Sequence, residues 1–342
     1  MTAKDSLLER LEKGVVIGAE GYLFELERRG YLQAGPYVPE VVLDNPEAVK
    51  ALHREFLWAG SDVMVAFTYY AHRDKLKTIG REGDLEPLNR QALRLAAEVA
   101  AEGDALVAGN VSNTWVYDHN DPETTSKLVR AMYDEQIRWS AEEGADFIIA
   151  ETLDYLAEAL IALEVSREYG LPVVVNFGSV HERTKEGYSF VDACKVLADQ
   201  GADVVGLNCS RGPRTILPLV RQIREAVDGY VAALPVAYRT TEKEPTFVSL
   251  RDGEDGQAFP IGLDPFTTTR FEIADFAVEA KELGVNYIGV CCGGAPHHVR
   301  AMAEALGREV PASRYSPDMS LHPALGASVK ERDKPYLKDW KD

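Results

Sequence analysis

Eight short apolar runs, each followed by a loop and an amphipathic stretch, set the rhythm of this chain. They fall at residues 15–18, 63–67, 105–109, 146–150, 172–176, 203–207, 232–237 and 286–290, and are built mostly from Val, Ile, Leu, Phe and Ala. Continuous apolar runs of four to six residues suit parallel strands buried on both faces. Helical patterns at 46–58, 88–102, 124–143, 155–168 and 190–200 separate them, the first opening with Asn45 as an N-cap and Pro46 at the first helical position. Gly144, Gly201 and Gly284 recur where a helix hands over to the next strand, and glycine adopts the left-handed cap cheaply. Eight such units predict a (β/α)8 barrel over residues 1–310. The competing open doubly wound sheet usually carries a glycine-rich phosphate loop after its first strand. Here that place holds Gly18-Ala19-Glu20-Gly21-Tyr22, which lacks the pattern.

Two segments depart from the rhythm. The polar stretch 240–263 follows the seventh strand and reads as a loop over the barrel's catalytic end. The tail 311–342 reads as an extended arm docked through Tyr336, Leu337 and Trp340 onto the barrel or a partner subunit.

Charge narrows the partners. The 342 residues hold 37 Lys and Arg against 55 Asp and Glu, a net charge of −18. A polyanion needs a basic face, so nucleic acid and anionic membrane are disfavoured. The charged start, DSLLERLEKG, is unlike a signal peptide. No run approaches the roughly 18 apolar residues of a membrane span. The expectation is a soluble cytoplasmic protein.

The four cysteines are too few for a disulfide framework at this length. Cys194 lies within a helix and reads as a small buried hydrophobe. Cys209 follows the sixth strand in GLNC, and Cys291 and Cys292 follow the eighth in GVCCGG. In a barrel these ends share the face where active sites are built. Three thiolates there match a Zn2+ site with three protein ligands and one open position, and Gly293-Gly294 permits the turn that brings adjacent cysteines to one ion. A structural zinc would normally take four protein ligands.

With GLNC and GVCCGG, the stretches VVIGAEGYLFELERRGYLQAGPYVPE, HREFLWAGSDVMVAFTYYAHRDKL, EGDALVAGNVS, DFIIAETLDYLAEAL and LGVNYIGVCCGGAPHHVRAMAEAL resemble the zinc-dependent homocysteine S-methyltransferase family, most nearly its betaine-dependent members. The likeness covers most of residues 14–307. It implies a (β/α)8 barrel, Cys209, Cys291 and Cys292 as zinc ligands, and methyl transfer from an onium donor to homocysteine, giving methionine.

Such chemistry needs little acid–base help, because an onium leaving group departs neutral. It needs alignment, and aromatic faces to hold the cation. Tyr22, Tyr37, Tyr69, Tyr70 and Tyr155 are candidates. The resemblance places Tyr70 at the methyl-transfer site and Glu151 on the acceptor's amino group. Asn208 is a candidate for orienting a ligand or substrate. The betaine-dependent members carry Asp-Gly-Gly after the first strand, where this chain has Ala19-Glu20-Gly21. Glu20 thus offers the carboxylate one position later. They carry Tyr where this chain has Thr152, and often Thr where it has Ala66. Arg211, Arg214 and Arg239 are candidate carboxylate anchors. His297 and His298 should point away from the metal, because Ala295-Pro296 starts the last helix. The acceptor and donor are the expected small-molecule partners, and a homodimer or larger homo-oligomer is the expected assembly. Alternatives are a sulfonium donor, another thiol acceptor, or a zinc-bearing binding protein without turnover. A Schiff-base aldolase would need a strand-end Lys, and none of the eight ends offers one.

Overall fold

The computed structural model describes residues 4–253, 256–322 and 326–327. Its strands are β1 (Val16–Ala19), β2 (Val63–Val65), β3 (Leu106–Ser112), β4 (Phe147–Leu153), β5 (Val173–Gly178), β6 (Val204–Asn208), β7 (Tyr230–Leu234), β8 (Arg251–Asp252), β9 (Gly256–Gln257) and β10 (Tyr287–Val290). Eight run parallel in the order β1-β10-β7-β6-β5-β4-β3-β2, with helices between, and form the expected (β/α)8 barrel. β8 and β9 form a separate antiparallel hairpin inside the 240–263 loop. β1 and β2 lie side by side, and Asp62 joins their lower ends: its N–H donates to the Ile17 carbonyl (2.8 Å) and its carboxylate accepts from Ile17 N–H (2.7 Å).

That clasp recurs. Asp146 and Asp203 likewise donate N–H to the preceding strand and accept from it, from Val107 (2.7 Å) and Val173 (2.8 Å). Asn286 does the same with Val231. Each clasp stands two residues after a glycine at positive φ: Gly60, Gly144, Gly201 and Gly284. The four mark the N-terminal rim.

All eight apolar runs became strands, with shifted ends. β3, β4 and β5 continue through Asn110, Glu151 and Asn176, polar residues that face the interior and are at most 4% exposed. β7 starts earlier than the apolar run and stops before Pro235, which has no N–H for a ladder. The helix Pro46–Ala59 begins as expected, yet the Asn45 side chain makes no cap hydrogen bond. Beyond Pro311 come the 3-10 turns Pro311–Tyr315 and Met319–Leu321. Tyr336, Leu337 and Trp340 lie outside the described residues.

Candidate metal and substrate site

At the C-terminal rim the turns after β6 and β10, on either side of β7, bring three cysteines together. Cys209 Sγ lies 3.5 Å from Cys292 Sγ, and the sulfurs of Cys209, Cys291 and Cys292 fall within 4.8 Å of one another. Ligands about 2.3 Å from a tetrahedral zinc are about 3.8 Å apart, so the trio fits one ion. Tight turns hold it. Cys291 N–H donates to Pro235 and the Cys292 carbonyl accepts from Ala237 N–H. Gly293 has φ +75°, and a Cβ there would fall 2.5 Å from the Tyr238 ring. Gly21 admits the loop after β1, since its Cβ would lie 2.0 Å from the Gly294 carbonyl. Gly21 thus packs the loop after β1 directly against the cysteine turn.

The thiols differ electrostatically. The adjoining Cys291 and Cys292 thiols, with backbone N–H groups, pull the Cys209 pKa well down. That ionisation holds those of Cys291 and Cys292 well up. A cation is required before all three become thiolates.

Beside them are two buried carboxyls. Glu20 and Glu151 group with Cys291 Sγ within 4.8 Å. Glu20 thus faces the sulfurs even though it stands one residue later than the family's aspartate. Burial, then the neighbouring Glu151, pushes the Glu20 pKa well up, while burial lifts Glu151 to about 6. Amides orient the pair: Asn110 Nδ2 donates to Glu151 Oε1 (2.6 Å), and Asn208 Nδ2 to Glu151 Oε2 (2.7 Å) and Thr152 Oγ1 (2.9 Å). Asn208 Oδ1 accepts from Thr152 N–H (2.8 Å). Glu20 Oε1 is buried without a hydrogen-bond partner, and no Lys or Arg among the described residues bonds to either carboxyl.

The sulfurs and carboxyls bound a cavity of about 30 Å3, also lined by Tyr22, Ala66, Phe67, Tyr69 and Thr152. Tyr69 and Tyr70 pack at 4.2 Å between ring centroids. Burial pushes the Tyr70 pKa to about 12, to which the Cys209 and Cys292 charges add. Tyr37 lies within electrostatic reach of Cys292, its pKa pushed to about 12 by burial first, and its hydroxyl unpartnered. Tyr22 presents its ring to the cavity and ties its hydroxyl to His53 Nδ1 at 3.0 Å. Tyr155 is not brought in: it packs on Tyr117 at 4.8 Å and does not line the cavity.

Other expectations divide. Cys194 is fully buried in the helix Phe190–Asp199. His298 accepts from Ala295 N–H and bonds the Thr268 carbonyl, away from the sulfurs. Arg239 and Arg214 pair with Glu272, and Arg211 donates to the Ser179 carbonyl, so none serves as a carboxylate anchor in this cavity. The sequence reading missed Asn110 and Asn176, whose signal was an amide interrupting an apolar strand, and Trp115.

Backbone conformation marks the same rim. The six described non-glycine residues with positive φ are Tyr37, Tyr70, Trp115, Thr152, Cys209 and Ser210, all in segments after barrel strands or at their C-terminal ends. At Thr152 the register of β4 with β5 also shifts. Such conformations cost about 1–3 kcal/mol each and persist where surroundings enforce them, characteristically at functional sites.

Fold and rim together define the class: a (β/α)8-barrel enzyme with a three-cysteine candidate metal centre. Residues 18–306 match the family model described as homocysteine S-methyltransferase. The chain is 39% identical over 347 residues to betaine–homocysteine S-methyltransferase 1 of Xenopus tropicalis, covering 98% of this chain and 83% of that protein. It is 37% identical over 349 residues to an S-methylmethionine–homocysteine S-methyltransferase of Mus musculus, covering 98% and 90%. The chain belongs to the homocysteine S-methyltransferase family. Among solved structures, the metallated homocysteine methyltransferase MmuM of Escherichia coli matches with a TM-score of 0.68 at 20% identity over 86% of this chain and 97% of that one, a likeness of fold.

Proposed function

We propose that this protein transfers a methyl group from a betaine-type onium donor to the thiol of homocysteine, giving methionine, with Cys209, Cys291 and Cys292 holding Zn2+. The observation that carries this is the meeting of three sulfurs with two buried carboxyls that lack a cation. The donor set fits zinc, which when bound supplies a place where an acceptor thiol stays deprotonated near neutral pH.

The chain's own residues do the rest. Glu20 and Glu151 receive the acceptor's ammonium group, which replaces the proton their mutual repulsion otherwise retains. Asn110 and Asn208 fix the Glu151 carboxylate, and Asn208 ties that carboxyl to the hydroxyl and the backbone N–H of Thr152. Tyr37, Tyr69 and Tyr70 supply aromatic faces for the onium group, and Tyr22 walls the cavity. Ring and sulfur positions together set the line of sulfur, methyl and leaving atom, which is where effective molarity arises.

No helix among the described residues is long and apolar enough to cross a membrane, and we place the enzyme in the cytoplasm. We assign residues 1–310 to the catalytic barrel; the docking arm expected over 311–342 falls mostly outside the described residues. Trp58 and Tyr315, 53% and 65% exposed, line a groove of about 760 Å3 on the barrel flank that a homodimer would cover.

Relatives named for betaine and for S-methylmethionine match almost equally, so donors are compared directly. The test is metal content together with methionine formation from homocysteine and a panel of ammonium and sulfonium donors. About one zinc per chain and product with a betaine-type donor are expected. Zinc without product from any donor would favour a binding protein.

A further inference from the structure

The mouth of the barrel carries a cation that the chemistry above does not use. Lys75 lies on the short helix Arg73–Thr78 that follows Tyr70. Its Nζ stands 4.3 Å from the Tyr70 ring centroid and 5.0 Å from that of Trp115. The side chain is part-buried, and burial pulls its pKa down. No carboxylate pairs with it among the described residues. This is unusual in a chain of net charge −18 whose other partly buried cations mostly meet acids, Lys50 with Glu47 and Glu98 and Arg90 with Glu86, Glu142 and Glu143 among them. A part-desolvated ammonium ion without an anion is poised to accept one.

Its surroundings are built. Trp115 is 58% exposed yet held at φ +65°, with its ring 6.2 Å from Tyr70. Lys185 approaches the same indole at 5.7 Å and is itself bound to Asp154 at 2.7 Å. The indole is thus fixed between two cations, one neutralised by Asp154 and one not. Tyr70 links this mouth to the sulfurs, since it packs on Tyr69 in the cavity wall.

We propose that Lys75, backed by Trp115, is the specificity-determining residue that binds the carboxylate of the methyl donor. The donor class is an onium carboxylate, its methylated cation on the Tyr69–Tyr70 side and its anionic end outward on Lys75. This rests on the proposed methyl transfer and adds to it: Thr152, which stands where the betaine-dependent members carry Tyr, is engaged by Asn208, and the charge is read at another wall of the site.

The experiment pairs glycine betaine with its uncharged carboxamide, which keeps the onium group and removes the carboxylate. With zinc-loaded, homocysteine-bound protein, both are titrated by calorimetry and assayed for methionine formation. The wild type should prefer the carboxylate. Lys75→Met should lower the ratio of the two donors' affinities, and of their kcat/KM values, by about 10- to 100-fold, the worth of a charge-assisted hydrogen bond. Lys75→Arg should retain most of the ratio, and zinc per chain should be unchanged in both variants. An unchanged ratio in Lys75→Met, or equal losses for both donors, overturns the assignment by reducing Lys75 to a prop for Tyr70. Wild-type binding of betaine without turnover counts against the methyl-transfer reading alone, because the binding ratio still decides Lys75. Wild-type protein that does not prefer the carboxylate overturns the Lys75 assignment.

Discussion

The two rims of the barrel are made on opposite principles. At the N-terminal rim one device is used four times: a glycine in the left-handed region and, two residues on, an Asp or Asn that clasps the preceding strand. None of the six strained non-glycine residues lies there. At the C-terminal rim nothing repeats. Three cysteines, two carboxyls, three inward amides on β3, β5 and β6 and several aromatic rings each occur once, and the strain gathers around them. Repetition belongs to the end that holds the barrel closed, and singular, costly arrangements to the end that does chemistry.

The comparison breaks most sharply at the sulfurs. Cys209→Ala or Cys291→Ala should abolish stoichiometric zinc and lower methyl transfer by at least about 10^3-fold, well beyond the 10- to 100-fold typical of residues that only support a ligand. Far-UV circular dichroism should remain that of the wild type, since the barrel does not depend on this rim for closure. Zinc retained at one per chain in both variants would overturn the ligand assignment.

A smaller effect separates the carboxyls from the metal. Glu20→Gln should raise the KM for homocysteine by about 10- to 100-fold, as expected when a charge-assisted contact is lost, and leave zinc content intact. The same change removes a buried carboxyl whose ionisation burial opposes. The variant should therefore unfold no more easily than the wild type, trading function against stability as site residues do. A KM unchanged within twofold would show that Glu20 does not touch the acceptor.

The opposite rim should give the mirror image. Asp146→Ala strips the acceptor from Val107 N–H and the Lys4 ion pair. It should cost about 1–3 kcal/mol in denaturant-induced unfolding, with zinc per chain and kcat of the folded enzyme unaltered. A loss of kcat without a loss of stability would erase the division between the rims.

This division also explains what could be read from the sequence. Eight apolar runs, the recurrent glycines at helix ends and the GLNC and GVCCGG motifs are local signals, and each reappears where it was expected. What escaped depends on where side chains point after the chain closes. Glu20 and Ala19 are adjacent, and only the barrel shows that Glu20 faces the sulfurs. Arg239 and Arg214 stand near strand ends yet turn to Glu272. Asn110 sat just beyond its expected strand end, because a polar residue was taken as a stop, and Asn176 stood at the very end of its run with no role assigned. In a barrel, strands run on into the rim where inward amides are wanted.

The smallest effect tests the wall beneath the C-terminal rim, where His53 joins the helix layer to the cavity through Tyr22. His53 is fully buried, and burial holds its pKa down at about 3 against an ordinary 6.5. A base with a depressed folded pKa adds stability above its unfolded pKa and loses it as pH falls, because the unfolded chain takes up the proton first. The loss should therefore begin near pH 6.5 and continue towards pH 3. Glu20 and Glu151 act in the opposite sense, because their raised pKa values make the folded state take up protons sooner. Wild-type curves alone would blend the two. A His53→Gln protein keeps both carboxyls, so the difference between the two proteins isolates the imidazole. That difference should shift against the wild type by about 1.4 kcal/mol per pH unit below 6.5. If unfolding free energies of the two proteins stay parallel from pH 7 to 5, His53 is not held neutral, and the wall beneath the rim is more open to water than its packing implies.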